Sequence, residues 1–146
     1  MQLTEHFTDT ELGVAGCAPN LVASAIFLCR TLLEPIRSKF GPLIVHDGYR
    51  DPTHNAEVGG KPTSWHQFDG NHSAADFHCA NAGLQTVFDW IRLESALPFD
   101  KVILEHAPDG NSRCVHIQVD SLVRPRREAY IGSTGAGTVY TPVEVK

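Results

Sequence analysis

Eight histidines stand in a chain of 146 residues. Five of them, His66, His72, His78, His106 and His116, lie in its central and later parts, close to carboxylates. A catalytic zinc site takes three protein ligands from His, Asp and Glu and leaves a fourth position for water. Three positions suit that chemistry: His66 in a polar stretch, Asp76 just after it, and His116 much later. Asp76 sits in Ala74-Ala75-Asp76-Phe77, where burying a carboxylate is costly unless something offsets its charge. A metal ion would do so. Taken singly, each residue has a plainer reading, because strand aspartates are commonly salt-bridged and histidines commonly hydrogen-bonded or exposed. His72, four residues before Asp76, competes with His66 as first ligand.

The elements that must position these residues follow from periodicity. Leu21, Ala25, Leu28, Cys29, Leu32 and Ile36 recur at helical spacing, predicting a helix from about Leu21 to Lys39, with Asn20 as its N-cap. Pro35 should kink it, and Gly41-Pro42 should end it. Leu43-Ile44-Val45 reads as a buried strand leading into a Gly48-Tyr49-Arg50 turn. Asp51 to Ser73 has no periodicity and reads as one long loop, of the kind that carries function. Ala74 to Cys79 returns to strand character. Leu84, Val87, Phe88 and Ile91 predict a second amphipathic helix closing near Leu97-Pro98.

Lys101 to Glu105 and Val115 to Val119 then read as two strands joined through Pro108-Asp109-Gly110-Asn111, an antiparallel hairpin with His116 and Gln118 on one face. This order predicts an α+β fold with helices packed on a mainly antiparallel sheet. Neither a repeat nor a linker interrupts it, so a single domain over 1–146 is expected, with about 132–146 as an extended or loose tail.

Composition sets outer limits. The chain is 42% apolar and 20% charged, as globular domains are. The net charge of −5 argues against nucleic acid, whose phosphates require clustered Lys and Arg. The one basic cluster, Arg124, Arg126 and Arg127, reads as solvated surface. No apolar run is long enough to span a bilayer. The opening Met-Gln-Leu-Thr-Glu-His-Phe lacks the pattern of a secretion signal, so synthesis and residence in a cytoplasm are expected. Cys17, Cys29, Cys79 and Cys114 have no paired spacing and read as free thiols.

Longer motifs narrow the reading. Thr63-Ser64-Trp65-His66, Gly70 and Ala74-Ala75-Asp76-Phe77 together resemble the S-x-H-x-x-G-x-A-A-D signature of the zinc D-Ala-D-Ala carboxypeptidases, a group related to lysostaphin-class enzymes and the hedgehog signalling domain. Asp47-Gly48-Tyr49-Arg50-Asp51-Pro52, Asn55 with Val58-Gly59-Gly60, Pro98 to Glu105, and Val115-His116-Ile117 resemble further motifs of that family in the same order. So do Leu3 to Phe7 with Glu11-Leu12, and Arg126-Arg127-Glu128.

The resemblance implies a hedgehog/DD-peptidase-like fold with one zinc ion on His66, Asp76 and His116. It implies Glu105 as general base, and Arg50 to stabilise an oxyanion or bind a substrate carboxylate. Ser64 would support the ligand loop and the substrate. The expected activity is hydrolysis of peptidoglycan stem-peptide or cross-bridge amides by a monomeric enzyme, either a phage lysis enzyme released from the cytoplasm or one acting on cytoplasmic muropeptides or dipeptides. The competing expectation is a non-catalytic binding or structural protein on the same scaffold.

Three features depart from the family pattern. His66 and Asp76 are separated by nine residues, three more than is usual, with the surplus around Asp69-Gly70-Asn71-His72. Relatives often place a base three residues before the last His, where Arg113 stands here. Cys114 and Gln118 replace residues that are often Trp and Ser. A Cys114 thiolate as fourth ligand would close the site.

Overall fold

The computed structural model describes residues 1–133 and 139–146. Its elements are helix α1 (Pro19–Leu28), a π-helical turn (Cys29–Leu33), α2 (Glu34–Phe40), strand β1 (Leu43–Asp47), α3 (Pro52–Glu57), β2 (His72–Cys79), α4 (Leu84–Leu93), β3 (Lys101–His106), β4 (Ser112–Asp120), β5 (Glu128–Ser133) and β6 (Tyr140–Val143). The strands form one sheet in the order β1-β2-β4-β3-β5-β6. All pairings are antiparallel except β3 with β5. The architecture is thus α+β with a mainly antiparallel sheet, as the sequence predicts.

Strand alternation divides the sheet into two faces. Ala75 and Phe77 of β2, Val102 and Leu104 of β3, and Val115 and Ile117 of β4 are fully buried against the apolar stripes of the helices, including Leu28, Leu32, Ile36, Val87, Phe88 and Ile91. Each such large side chain contributes about 1.5–3 kcal/mol of transfer free energy. Asp76, Cys114, His116 and Gln118 alternate with these residues and occupy the opposite face.

The first helical stretch ends at Phe40 with Gly41 as its cap, as expected, but differs at its start and before Pro35. Pro19 opens it with Ala18 at the N-cap and no side-chain cap, so Asn20 lies inside. Proline's fixed φ is already helical, and its missing N–H costs nothing at that position. Pro35 cannot donate, and its ring crowds the carbonyl four residues back. The chain widens into the π turn just before it, where Glu34 N–H bonds the carbonyl of Cys29.

The stretch from Asp51 to Ser73 is not one loop. Asp51 caps α3 by accepting a hydrogen bond at 2.7 Å from the His54 N–H, and Pro52 begins the helix. β2 starts at His72 rather than Ala74. Within the expected extended or loose tail, β5 runs into Ser133 and β6 occupies Tyr140–Val143. The part of that expectation covering 134–138 lies outside the described residues.

The basic cluster is only partly solvated surface. Arg126 binds the buried Asp100 carboxylate through two hydrogen bonds, at 2.6 and 2.7 Å, and Arg127 bonds the carbonyls of Leu97 and Lys146. Arg124 is exposed, as expected. Among the described residues, no helix is long and apolar enough to cross a membrane.

Candidate metal centre

Three elements bring the first group of predicted residues together. Asp76 and His116 face each other as register partners on adjacent strands β2 and β4. His66 arrives from the segment between α3 and β2, whose path is pinned to the β1 exit. There the Arg50 N–H bonds the carbonyl of His66 at 2.7 Å, and the Tyr49 N–H bonds the carbonyl of Leu12 at 2.8 Å. Gly48 permits that approach, because a β-carbon there would lie 2.6 Å from the Leu12 carbonyl oxygen.

His66, Asp76 and His116 are all buried, and one potential ligand atom from each lies within 4.8 Å of the others. Asp76 Oδ1 is 2.9 Å from His116 Nδ1 and 3.4 Å from His66 Nε2. The remaining ring nitrogens face acceptors: His66 Nδ1 lies 2.7 Å from the carbonyl oxygen of Gly48, and His116 Nε2 lies 2.8 Å from Gln118 Oε1. In the neutral rings those nitrogens carry the protons, which leaves the lone pairs of His66 Nε2 and His116 Nδ1 turned toward Asp76. Two imidazole lone pairs and a carboxylate, with outer hydrogen bonds fixing both tautomers, form a donor set suited to a divalent metal.

Electrostatics agree with that geometry. Burial opposes ionisation of Asp76, but hydrogen bonds and charge from His116 and His66 outweigh it and hold the carboxyl far below its ordinary range. For His116, burial would lower the pKa, yet the hydrogen bond and charge of Asp76 raise it on balance. Arg50 adds positive charge, with Nη2 at 3.5 Å from Asp76 Oδ2 and its Nε bonded to Asp47.

Glu105 stands across β4 from Asp76, beside its register partner Cys114. Potential ligand atoms of Asp76, Glu105 and Cys114 also lie within 4.8 Å of one another. Cys114 Sγ donates to Glu105 Oε2 at 3.6 Å. Burial first, and then the charge of Asp76, raise the Glu105 pKa above the ordinary value. Ser64, two residues before His66, accepts at Oγ from the His66 N–H at 3.3 Å.

His72 is held apart from the three donors. Its Nε2 lies 2.8 Å from the Gln67 carbonyl oxygen, its Nδ1 lies 3.2 Å from Asp69 Oδ2, and its ring stacks on Trp65. The surplus residues are absorbed locally, with Asp69 accepting from the N–H groups of Asn71 and His72 and Gly70 taking a φ of 99°. His78 shares the face of Asp76 but pairs with His46 through their ring nitrogens. All four cysteines are free.

The sequence profile of the peptidase M15 family matches residues 2–117, a span containing His66, Asp76, Glu105 and His116. The chain belongs to the peptidase M15 family. That membership makes it a metallopeptidase by family, and M15 peptidases are typically zinc-dependent. No curated protein matches the chain.

Sequence reasoning missed how much of this M15 peptidase's site is supported from behind. Gln118 Nε2 donates to Asp100 Oδ2 at 2.7 Å, and Asp100 also binds Arg126. The signal was available, because Asp100 follows Pro98-Phe99 and precedes Val102-Ile103-Leu104, an apolar setting like that of Asp76. Burial raises the Asp100 pKa, but the bonds from Arg126 and Gln118 outweigh it and leave it below the ordinary value.

A carboxyl depressed on folding contributes stability above its unfolded pKa, about 3.9, and loses that contribution as pH falls through the folded value. Urea melts at falling pH below about 5 should therefore show declining stability. Asp100→Asn should show a shallower decline, starting about 1–3 kcal/mol less stable at neutral pH because charged hydrogen bonds are lost. Equal slopes for the two proteins would refute this account of Asp100.

Proposed function

We propose that this M15 peptidase is a zinc enzyme hydrolysing amide bonds in peptidoglycan stem peptides or cross-bridges, as a DD-carboxypeptidase or endopeptidase. The observation that carries the zinc reading is the pair of histidines whose outer nitrogens are engaged by Gly48 and Gln118 while the inner ones face Asp76. A zinc ion held by His66, Asp76 and His116 supplies Lewis acidity toward a carbonyl oxygen and makes water a nucleophile near neutral pH.

The remaining steps fall to the chain itself. Glu105 accepts the proton released from the attacking water and returns it to the departing amine. A raised pKa suits both acts, since the group must gain and lose a proton in one cycle. Arg50, tied to Asp47 and near Asp76, offers a fixed cation for the developing oxyanion or a substrate carboxylate. Ser64 steadies the backbone of His66. The placement of Glu105 beside Asp76 favours hydrolysis over the non-catalytic scaffold, which has no need of a carboxylate there.

The peptidoglycan substrate rests on the motif resemblance of the sequence. We further propose a monomeric state, and action on the wall after release by phage lysis or on cytoplasmic muropeptides or dipeptides.

The test is bound-metal stoichiometry on untagged protein, followed by digestion of D-Ala-terminated muropeptides. About one zinc per chain is expected. His66→Ala should abolish it, and His72→Ala should retain it. Metal loss on His72→Ala alone would exchange the first ligand. No bound zinc after reconstitution would overturn the enzyme reading.

A further inference from the structure

Behind His116 lies a chain of buried polar groups whose direction is set from one end. Arg126 can only donate, and it does so twice into Asp100. The Asp100 carboxylate can only accept, so the side of the Gln118 amide 2.7 Å away must be its NH2. The other side is then the carbonyl oxygen, which also only accepts, at 2.8 Å from His116 Nε2. His116 must therefore carry a proton on Nε2, and the nitrogen left for a metal is Nδ1. His116, Gln118 and Asp100 are 8%, 7% and 2% exposed, so water does not readily substitute for any link.

Gln118 reaches His116 because the two stand two residues apart on β4 and share one face. The guanidinium of Arg126 has a second contact, 6.0 Å from the centre of the Trp65 ring. Trp65 immediately precedes His66, and its other stacking partner is His72. One arginine thus braces the segments carrying two of the three donors. Gln118 and Arg126 both lie beyond residue 117, where the family match ends.

We propose that Gln118 and Arg126 are positioning residues for the metal centre. Gln118 fixes the ring and proton of His116 so that Nδ1 faces Asp76, and Arg126 holds Gln118 through Asp100 while bracing the His66 segment through Trp65. This inference rests on the metal-centre reading above.

The experiment measures zinc affinity by chelator competition, and the visible spectrum of the cobalt-substituted protein. The proteins are wild type, Gln118→Met, Arg126→Met, Arg126→Lys and the double Met variant. Gln118→Met should weaken zinc binding by about 10–100-fold and alter the cobalt spectrum, because the His116 ring is free to turn. Arg126→Met should cost about tenfold, with Arg126→Lys recovering part of it. The double variant should lose less than the product of the single losses, since both act on one chain of bonds.

A role confined to folding would lower the melting temperature of the metal-free variants and leave zinc affinity and the cobalt spectrum alone. That result, or single losses that simply multiply, would overturn the proposal. Should Gln118→Met fail to fold, the Arg126 pair decides by the same readouts. Wild-type protein that binds no zinc overturns the metal-centre reading together with this one. Wild type that binds zinc beside unaffected variants overturns this one alone.

Discussion

Asp76→Asn is expected to lose tight zinc binding and at least about a thousandfold in kcat/KM while keeping its fold. Asn preserves the shape and one acceptor oxygen, but it removes the negative charge on which His66, His116 and Arg50 converge. A neutral amide is a poor ligand beside two imidazoles, and its NH2 must face either a metal-directed nitrogen or the Arg50 guanidinium. The backbone should tolerate the change, because β2 is paired on both sides, with β1 and β4.

Thermal melts separate the two effects. Zinc at about 100 times its Kd should stabilise wild type by about 2.7 kcal/mol, a rise of roughly 5–10 °C for a domain of this size. The variant should melt at the same temperature with or without zinc. A full zinc-dependent rise in Asp76→Asn would show that the metal sits elsewhere, whatever happened to activity.

The parts of this architecture that were readable in the sequence are those with strong local periodicity. The stripe Leu84, Val87, Phe88 and Ile91 gives α4 directly, and the alternation from Val115 to Val119 gives β4 together with the face on which His116 lies. α3 has no apolar period to reveal it. Its only local sign is Asp51-Pro52, a cap followed by a first-turn proline. β5 escapes for a different reason. It is parallel to β3, with Arg127 bonded back to the carbonyl of Phe99, and such long-range pairing leaves no imprint on neighbouring residues.

The same contrast holds within the site. In the sequence alone His72 competes with His66, because its surroundings have no periodicity. Once β2 begins at His72, the four residues to Asp76 span about 13 Å at the rise of an extended strand, and the two side chains share a face without meeting. Gln118 is legible in the sequence as a neighbour of His116 on one strand face and as a departure from the family pattern. What it does depends on Asp100 and Arg126, the latter 26 residues away from the former, and only the fold brings them together.

Glu105→Gln is expected to keep its zinc and lose about 10²–10⁴-fold in kcat/KM, the usual contribution of a positioned proton-transfer group. Gln retains the size of the side chain and can still accept from the Cys114 thiol, so the local packing should survive. The pH profile gives a second, independent readout. A general base works only when deprotonated, so wild-type kcat/KM should fall on acidification through the pKa of Glu105. Burial and the charge of Asp76 place that limb above the ordinary carboxylate range. The residual activity of Glu105→Gln should lack it.

The alternative role open to Glu105 is as a ligand, in the second grouping with Asp76 and Cys114. In that case Glu105→Gln would lose metal and activity together, and adding zinc would restore both. Zinc content near one per chain in an inactive Glu105→Gln protein assigns the carboxylate to proton transfer. Parallel loss of the two would assign it to the metal and leave the enzyme without the base proposed for it.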